Sequence, residues 1–458
     1  MASICTSNVT SGFIDLATFD EIEKYMYGGQ EATAYFVRET RKSTWFTQVP
    51  VVLSRASGTP AFNTEWAVSI SRAGDYLLQS WLRLQTPSVT LLATNTYGAN
   101  GRLRWTRNLM HNIIRECCIT FNDLVAARFD NYHLDFWTAF TVPAGKRNGY
   151  QNMIGNFNGL TGPTAQTVAI PAFTLNLPLP FFYSRDSGVA LPTAALPYNE
   201  MRINFSFRNW SDLLIHDNIA TDARTVPVVG TDITSEPVLG TTQVWANYAI
   251  VSNDERKRMA CAPRDILIEQ VQTAPRQTFS PATTPQPSYD IRFSHAIKVL
   301  FFGVRNRTFA NEWSNYMTRS PVDGGAVVNF TPAGSADPIL QTSLIYENTN
   351  RLAQMGSDYF SLVNPYYHAP VIPLDTGYHS YSYSLDFICL DPMGSTNYGK
   401  LTNVSVVPEA SADAIAVAAG GGNPGSGFVA AQTYEFIITA VNNNIIRISG
   451  GALGFPVL

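Results

Sequence analysis

Charge is what this chain of 458 residues has least of: Asp, Glu, Lys and Arg make up 14% of it, against about 25% in ordinary soluble domains. A large monomer keeps itself dispersed with a charged coat, and this chain has little to build one from. Either a large core is wrapped in Ser, Thr and Asn, or much of the surface is covered by other subunits, where charged residues are depleted. Net charge is −4, and the densest basic stretches are only Arg38 to Lys42 and Arg256 to Arg258. Neither is long enough to follow a phosphate backbone, so direct nucleic-acid binding is not expected. Cysteine is also scarce. Cys5, Cys117, Cys118, Cys261 and Cys389 are odd in number and follow no zinc spacing, which argues against a secreted disulfide framework. Cys117 and Cys118 adjoin in a strand-like run, so their side chains should point to opposite faces as small packing groups. No apolar run approaches the roughly 18–20 residues of a membrane span. Met1 to Thr10 lacks the basic start and apolar run of a secretory leader, and the expected setting is a reducing cytosol.

Hydrophobic residues reach 45%, aromatics 12%, with 31 Gly and 27 Pro. Two large β-domains fit the length as well as three smaller ones. Residues 13–27 form the best helix candidate, with Phe13, Leu16, Phe19, Ile22 and Met26 at helical spacing and Gly28-Gly29 as a stop. From Trp45 onward strands and turns dominate. Trp66–Ile70, Tyr76–Leu84, Ile113–Phe121 and Met201–Phe207 read as strands, and Asn131–Trp137 as a short helix. Val244–Val251, Asp265–Val271, Ile291–Val304, Tyr378–Phe387, Tyr434–Val441 and Ile445–Ile448 continue the β pattern. No βαβ rhythm is present, which favours antiparallel jelly rolls or sandwiches.

The two halves echo each other. Tyr183-Ser-Arg-Asp-Ser-Gly188, then Tyr198-Asn-Glu and Phe205-Ser-Phe207, are answered by Asp391-Pro-Met-Gly394, Asn397-Tyr398 and Val404-Ser-Val406. Tyr76–Leu84 is answered by Ile291–Val304, and Ile119-Thr-Phe-Asn-Asp123 by Leu344-Ile-Tyr-Glu-Asn348. Three landmarks in the same order point to one β-domain built twice. The resulting division is an N-terminal arm or helix at 1–28, a first jelly roll at 29–212, a connection at 213–243 and a second jelly roll at 244–458.

Signals for chemistry are weak. The glycine run at 420–427 lacks the Gly-Lys-Ser/Thr ending of a phosphate loop. His111, His133, His216, His295, His368 and His379 show no metal-ligand spacing. Asp130 and Asp135 lie five apart, and a glycosidase needs two facing carboxylates about 5–9.5 Å apart, which adjacency in sequence does not establish. No Gly-x-Ser-x-Gly elbow supports a hydrolase triad. No catalytic, metal-binding or cofactor-binding residue is assigned. A carbohydrate-active enzyme built on a carboxylate pair, and a monomeric carbohydrate-binding β-protein, stay open as competing classes.

Ten ordered segments carry a resemblance. They include Asn8-Val-Thr-Ser-Gly-Phe-Ile-Asp15, Tyr27-Gly-Gly29, Gly74-Asp-Tyr76, Asn152-Met-Ile-Gly155 and Phe182-Tyr-Ser-Arg-Asp-Ser-Gly188. Ala195-Leu-Pro-Tyr-Asn-Glu200, Ile291-Arg-Phe-Ser-His295, Tyr346-Glu-Asn348, Gly394-Ser-Thr-Asn-Tyr-Gly399 and Gly454-Phe-Pro-Val-Leu458 complete the set. In these the chain resembles the major capsid proteins of iridoviruses, most of all the insect-infecting members. The resemblance implies an all-β fold of two tandem eight-stranded jelly-roll barrels, with short helices in loops and at the N-terminus. It implies a non-enzymatic structural role without cofactor. Homotrimers would form pseudo-hexameric capsomers that tile the icosahedral outer capsid of a double-stranded DNA virus assembled in the host cytoplasm. The implied partners are neighbouring capsomers and minor capsid or cement proteins beneath the shell, with an inner viral membrane nearby. The inserts 156–174, 219–242, 305–340 and 408–430 are expected on the outer side, and residues 1–28 with the C-terminal tail on the inner side.

Overall fold

The fold was obtained as a computed structural model, which describes residues 2–323, 326–327, 336–420 and 431–456. Residues 1–45 and 46–458 are separate units.

The first unit holds helices α1 (Ala2–Ala17) and α2 (Glu21–Met26). The helix expected over 13–27 is broken in two. Asp20 adopts an extended backbone and its carboxylate accepts from the Glu21 amide at 2.9 Å, so it starts a new helix. From Thr6 onward the unit's side chains are exposed, with Glu23 alone half-covered.

The second unit holds two sandwiches. The first is built from β1 (Phe46–Val52), β2 (Ser54–Gly58), β3 (Glu65–Ser69), β4 (Tyr76–Gln85), β5 (Ile114–Phe121), β6 (Leu124–Asp130), β7 (Thr174–Pro178), β8 (Met201–Phe207) and β9 (Thr242–Val251). The second comprises β10 (Arg264–Thr273), β11 (Tyr289–Ile291), β12 (Ala296–Asn306), β13 (Ile339–Tyr346), β14 (Thr349–Gly356), β15 (His379–Ser382), β16 (Val404–Ala410) and β17 (Tyr434–Ser449). Leave aside β2, an added edge strand, and number each sandwich from one to eight. Both then have one sheet ordered 1-8-3-6 and a facing sheet ordered 2-7-4-5. That is the jelly-roll order, made twice in antiparallel strands.

Local chemistry explains the elements. In β8 the apolar Met201, Ile203, Phe205 and Phe207 are buried and alternate with half-exposed polar residues, as period-two pleating requires. β16 alternates in the same way from Val404. The β5–β6 hairpin turns on Asn122 and Asp123, at φ 47° and 66°. The β13–β14 hairpin turns on Glu347 and Asn348, at φ 45° and 64°. Positive φ at both central residues is the two-residue turn whose twist matches flanking strands. The paired landmarks seen in sequence therefore occupy equivalent strands and turns.

The equivalence weakens at side-chain level. Tyr198 is 75% exposed, whereas Tyr398 is 3% exposed and sits in a cluster with Tyr346 and Tyr383. The two loops correspond, but these tyrosines do not.

The domain boundaries need correction. β9 pairs with β1 (Phe46 opposite Val251) and with β4 (Trp245 opposite Trp81), so residues 244–251 close the first sandwich rather than open the second. Leu214–Asn218, inside the expected connection, pairs with Gly101–Trp105. The crossover is instead the stretch around the helix Asn253–Cys261. At the other end, residues 29–45 carry no helix or strand and belong with the first unit.

Candidate assembly surfaces and the seam between the sandwiches

In a sandwich ordered 1-8-3-6 over 2-7-4-5, successive strands run in opposite directions. The connections after strands 3, 5 and 7 therefore emerge at one end. In the first sandwich these span 86–113, 131–173 and 208–241; in the second, 307–338, 357–378 and 411–433. The long inserts 156–174, 219–242, 305–340 and 408–430 all fall at this end of their own sandwich. Residues 421–430 and most of 324–335 lie outside the described residues, as does the glycine run beyond Gly420. The opposite ends carry the tight hairpins, the strand 6–7 connections and the exit of β17.

Loops from the two sandwiches weld them together. The segment from Asn311 to Ser320, in the second sandwich, is buried except for half-buried Arg319, and Asn311, Trp313 and Ser314 hydrogen-bond to the first sandwich. Arg104 is fully buried. Its Nε donates to Asp217 at 2.5 Å and its Nη2 to Glu312 at 3.0 Å. Arg224 lies 3.5 Å from Asp217 and donates to Ser320 Oγ and the Val322 carbonyl. Two cations thus face two carboxylates in one buried group. Burial by itself would depress the Arg104 guanidinium, but Asp217 and Glu312 outweigh it and hold the pKa above its ordinary value. Nearby, Arg208 and Arg305 each stand 3.7 Å from the Trp313 ring, a doubled cation–π contact out of water. Trp313 Nε1 donates to the Asp212 carbonyl at 2.9 Å.

Apolar packing completes the seam. The helix α3 (Leu109–Ile113) precedes β5, and the helix α4 (Asn131–Thr141) follows β6. From α4, Phe136 and Phe140 stack on Phe301 of β12, with centroids 6.4 and 5.4 Å apart, and Trp137 meets the same ring edge-on. Phe301 points away from its own sandwich. Val299, Ile437, Val441, Ile266 and Ile268 share its continuous core with the first sandwich, while Leu300, Phe302, Val304 and Ile438 fill the second sandwich's own core. The centre of the β10-β17-β12-β15 sheet is therefore buried on both faces. At its margin Glu269 receives Lys298 at 2.5 Å and Arg185 at 3.0 Å.

The carboxylates considered for glycoside chemistry are engaged in this framework. Asp130 caps α4, accepting from the His133 amide at 3.0 Å. Asp135 is buried and accepts from Ser314 at 2.8 Å, Tyr316 at 3.0 Å and Asn108 at 3.2 Å, and lies 2.7 Å from His111 Nδ1. The adjoining cavity of about 70 Å³ holds only Asp135 and Asp375 as carboxylates, and Asp375 is tied to Arg107 at 3.0 Å. Four of the six histidines are also interior. His133 is enclosed by Phe129 and Trp137, and neither ring nitrogen has a hydrogen-bond partner among the described residues. Burial, aided by Arg185, lowers its pKa to about 3. No spacing in the sequence marks it for that position. Cys117 is buried and Cys118 half-exposed, on opposite faces of β5 as expected.

Three surfaces expose large apolar or aromatic side chains. In the first unit Phe13, Leu16, Tyr25, Phe36 and Trp45 lie in solvent, Phe36 at 102%. On the outer face of the β1-β9-β4-β7 sheet, Trp81 and Trp245 stack at 6.4 Å and are partly open. The helix Asn364–His368 exposes Tyr366 at 69% and Tyr367 at 73%. Charged residues sequestered in the seam leave still less charge for the outside.

Two jelly rolls of identical strand order, fused edge-on in a single chain, define a double jelly-roll protein. The fold is shared with the "PBCV-1 virus capsid, quasi-atomic model", with a TM-score of 0.74 at 18% identity, covering 93% of this chain and 100% of that one. Residues 34–251 match the family described as major capsid protein N-terminus, and residues 255–454 the family of large eukaryotic DNA virus major capsid proteins. The meeting point of the two matches coincides with the crossover after β9. The chain is 69% identical to the major capsid protein of Costelytra zealandica iridescent virus and 68% identical to that of Invertebrate iridescent virus 6, each over 100% of both chains. The chain belongs to the family of major capsid proteins of large eukaryotic DNA viruses.

Proposed function

We propose that this chain is the principal shell-forming subunit of an icosahedral virion, acting by assembly rather than by catalysis. Three copies associate into a capsomer of six similar sandwiches with a near-hexagonal outline, and capsomers tile flat faces. The observation that carries this reading is the repeated 1-8-3-6 over 2-7-4-5 order within one welded unit. One chain then supplies two similar edges, and a threefold ring presents six. The sparse charge agrees with obligate contacts, which bury on the order of 2,000–5,000 Å² and resemble a divided core.

The end carrying the long loops faces outward. The end where β17 leaves faces inward, and residues 1–28 belong to the inner side of the shell, toward minor capsid or cement proteins and an inner membrane. The exposed Phe13, Leu16 and Tyr25 support that role. No helix among the described residues is long and apolar enough to cross a membrane, so contact with lipid would be peripheral. Assembly takes place in the host cytoplasm, and no cofactor takes part. Light scattering on the purified protein tests the core of the reading. Three chain masses of 50.4 kDa are expected, and a stable single-chain species overturns it.

A further inference from the structure

The sheet β10-β17-β12-β15 is covered on its outer face by the other sandwich of the same chain. Its topological twin, the sheet β1-β9-β4-β7, has no such cover among the described residues of the second unit. Its outer face is half-open, with the Trp81–Trp245 stack at its centre and Pro178 at its edge. The groups that cover the first of these faces come from strand 5 of the first sandwich and the helix after it. Gln270 Nε2 donates to the Ala126 carbonyl of β6 at 2.9 Å, and α4 brings Phe136, Trp137 and Phe140 onto Phe301. Their twins are β14 and the helical segment after it. These are open: β14 is an edge strand whose residues are mostly exposed, and the segment ends in the exposed Tyr366 and Tyr367.

One covered pair within the chain and one uncovered pair of matching kind remain. We propose that β14 and the Tyr366–Tyr367 helix of one copy seat on the Trp81–Trp245 face of a second copy, repeating between chains the packing that β6 and α4 make on Phe301 within the chain. The contact joins unlike surfaces, so it is heterologous and propagates until a ring closes. Alternating the internal and external versions makes every sandwich–sandwich junction similar. It also places two aromatic pairs at the centre of the junction, where binding energy concentrates, and covers the β14 edge, which would otherwise invite strand addition. The assignment rests on the trimer proposed above and specifies which faces build it.

Hydroxyl-radical labelling of the wild-type assembly, read by mass spectrometry, tests it without altering the fold. Tyr366, Tyr367, Trp81 and Trp245 are expected to label far more slowly in the trimer than after dilution to single chains, while exposed Tyr198 labels equally in both. The double variant Tyr366→Asp/Tyr367→Asp and the single variant Trp245→Arg are each expected to weaken association by about tenfold or more, the effect of losing an aromatic anchor. A wild-type trimer in which the four aromatics label as fast as in the single chain refutes this assignment and leaves the trimer standing. A wild-type chain that never exceeds one chain mass refutes the trimer itself, and this assignment with it.

Discussion

Replacing Arg104 by Met probes the seam where the two sandwiches depend on each other most. The substitution keeps much of the side chain's length and apolar stem but removes the charge. Asp217 and Glu312, 8% and 2% exposed at their side chains, are left with Arg224, which stands 3.5 Å from Asp217. Glu312 retains Ser320 Oγ at 3.2 Å, a neutral donor. Removing one partner from a buried ionic group costs about 3–5 kcal/mol, because the remaining charge stays out of water. The loss should therefore fall in that range at neutral pH. Acid should relieve it: an unpaired buried carboxylate has a raised pKa, so lowering the pH protonates it in the folded variant before the unfolded chain. The variant's deficit relative to wild type should shrink between neutral pH and about pH 4. Arg104→Met/Glu312→Gln should recover part of the loss at neutral pH. Guanidinium unfolding followed by tryptophan fluorescence, at one fixed chain concentration because association adds apparent stability, measures all three. A neutral-pH loss below about 1 kcal/mol, the scale of an exposed pair, or a deficit that does not change with acid, refutes the account of a buried ionic group at the seam.

Three further outcomes follow from single residues. His133 is folded as the neutral imidazole, with a pKa of about 3, below its unfolded value near 6.5; the unfolded state therefore binds the extra proton, and stability falls as pH drops through that window by roughly 1.4 kcal/mol per unit. His133→Phe should flatten this acid limb by one proton, measured as the pH dependence of the unfolding midpoint, and parallel profiles for the two proteins would show that His133 does not carry it. In the β5–β6 turn, Asp123→Gly should raise the thermal midpoint by relieving φ 66°, a gain of up to about 1 kcal/mol. Asn122→Val should lower it by about 2 kcal/mol, since it puts a β-branched residue at φ 47° and removes the acceptor of the Glu200 amide at 2.7 Å. Midpoints that move in the same direction contradict the turn assignment.

The duplication was legible because each repeat carries its own local chemistry. The alternation of Met201–Phe207 and Val404–Ala410, and the turns at Asn122-Asp123 and Glu347-Asn348, are decided within a few residues, and a reader of the chain can align them. The break between α1 and α2 was missed because the stripe of Phe13, Leu16 and Ile22 continues across Asp20, whose capping competes with helix continuation. The domain boundary was missed for a different reason. Thr242–Val251 follows a Pro- and Gly-bearing stretch and looks like a beginning, yet its hydrogen-bonding neighbours are Phe46–Val52 and Tyr76–Gln85, nearly two hundred residues away for the first. Nothing in its own pattern distinguishes an eighth strand from a first. The twin tyrosines Tyr198 and Tyr398 show the same limit in one side chain, alike in sequence context and opposite in burial.

By itself the sequence determined the strand-and-turn alphabet, its repetition and the shortage of charge, because pleat periodicity, turn geometry and composition act over short range. Only the tertiary structure decided that Asp135, Arg104 and Glu312 serve a seam, that Trp313 lies between Arg208 and Arg305, and that one jelly-roll sheet is covered while its twin is open. Those outcomes depend on loops far apart in the chain arriving at one end of antiparallel sandwiches, where burial forces charges to pair and aromatic faces to find cover.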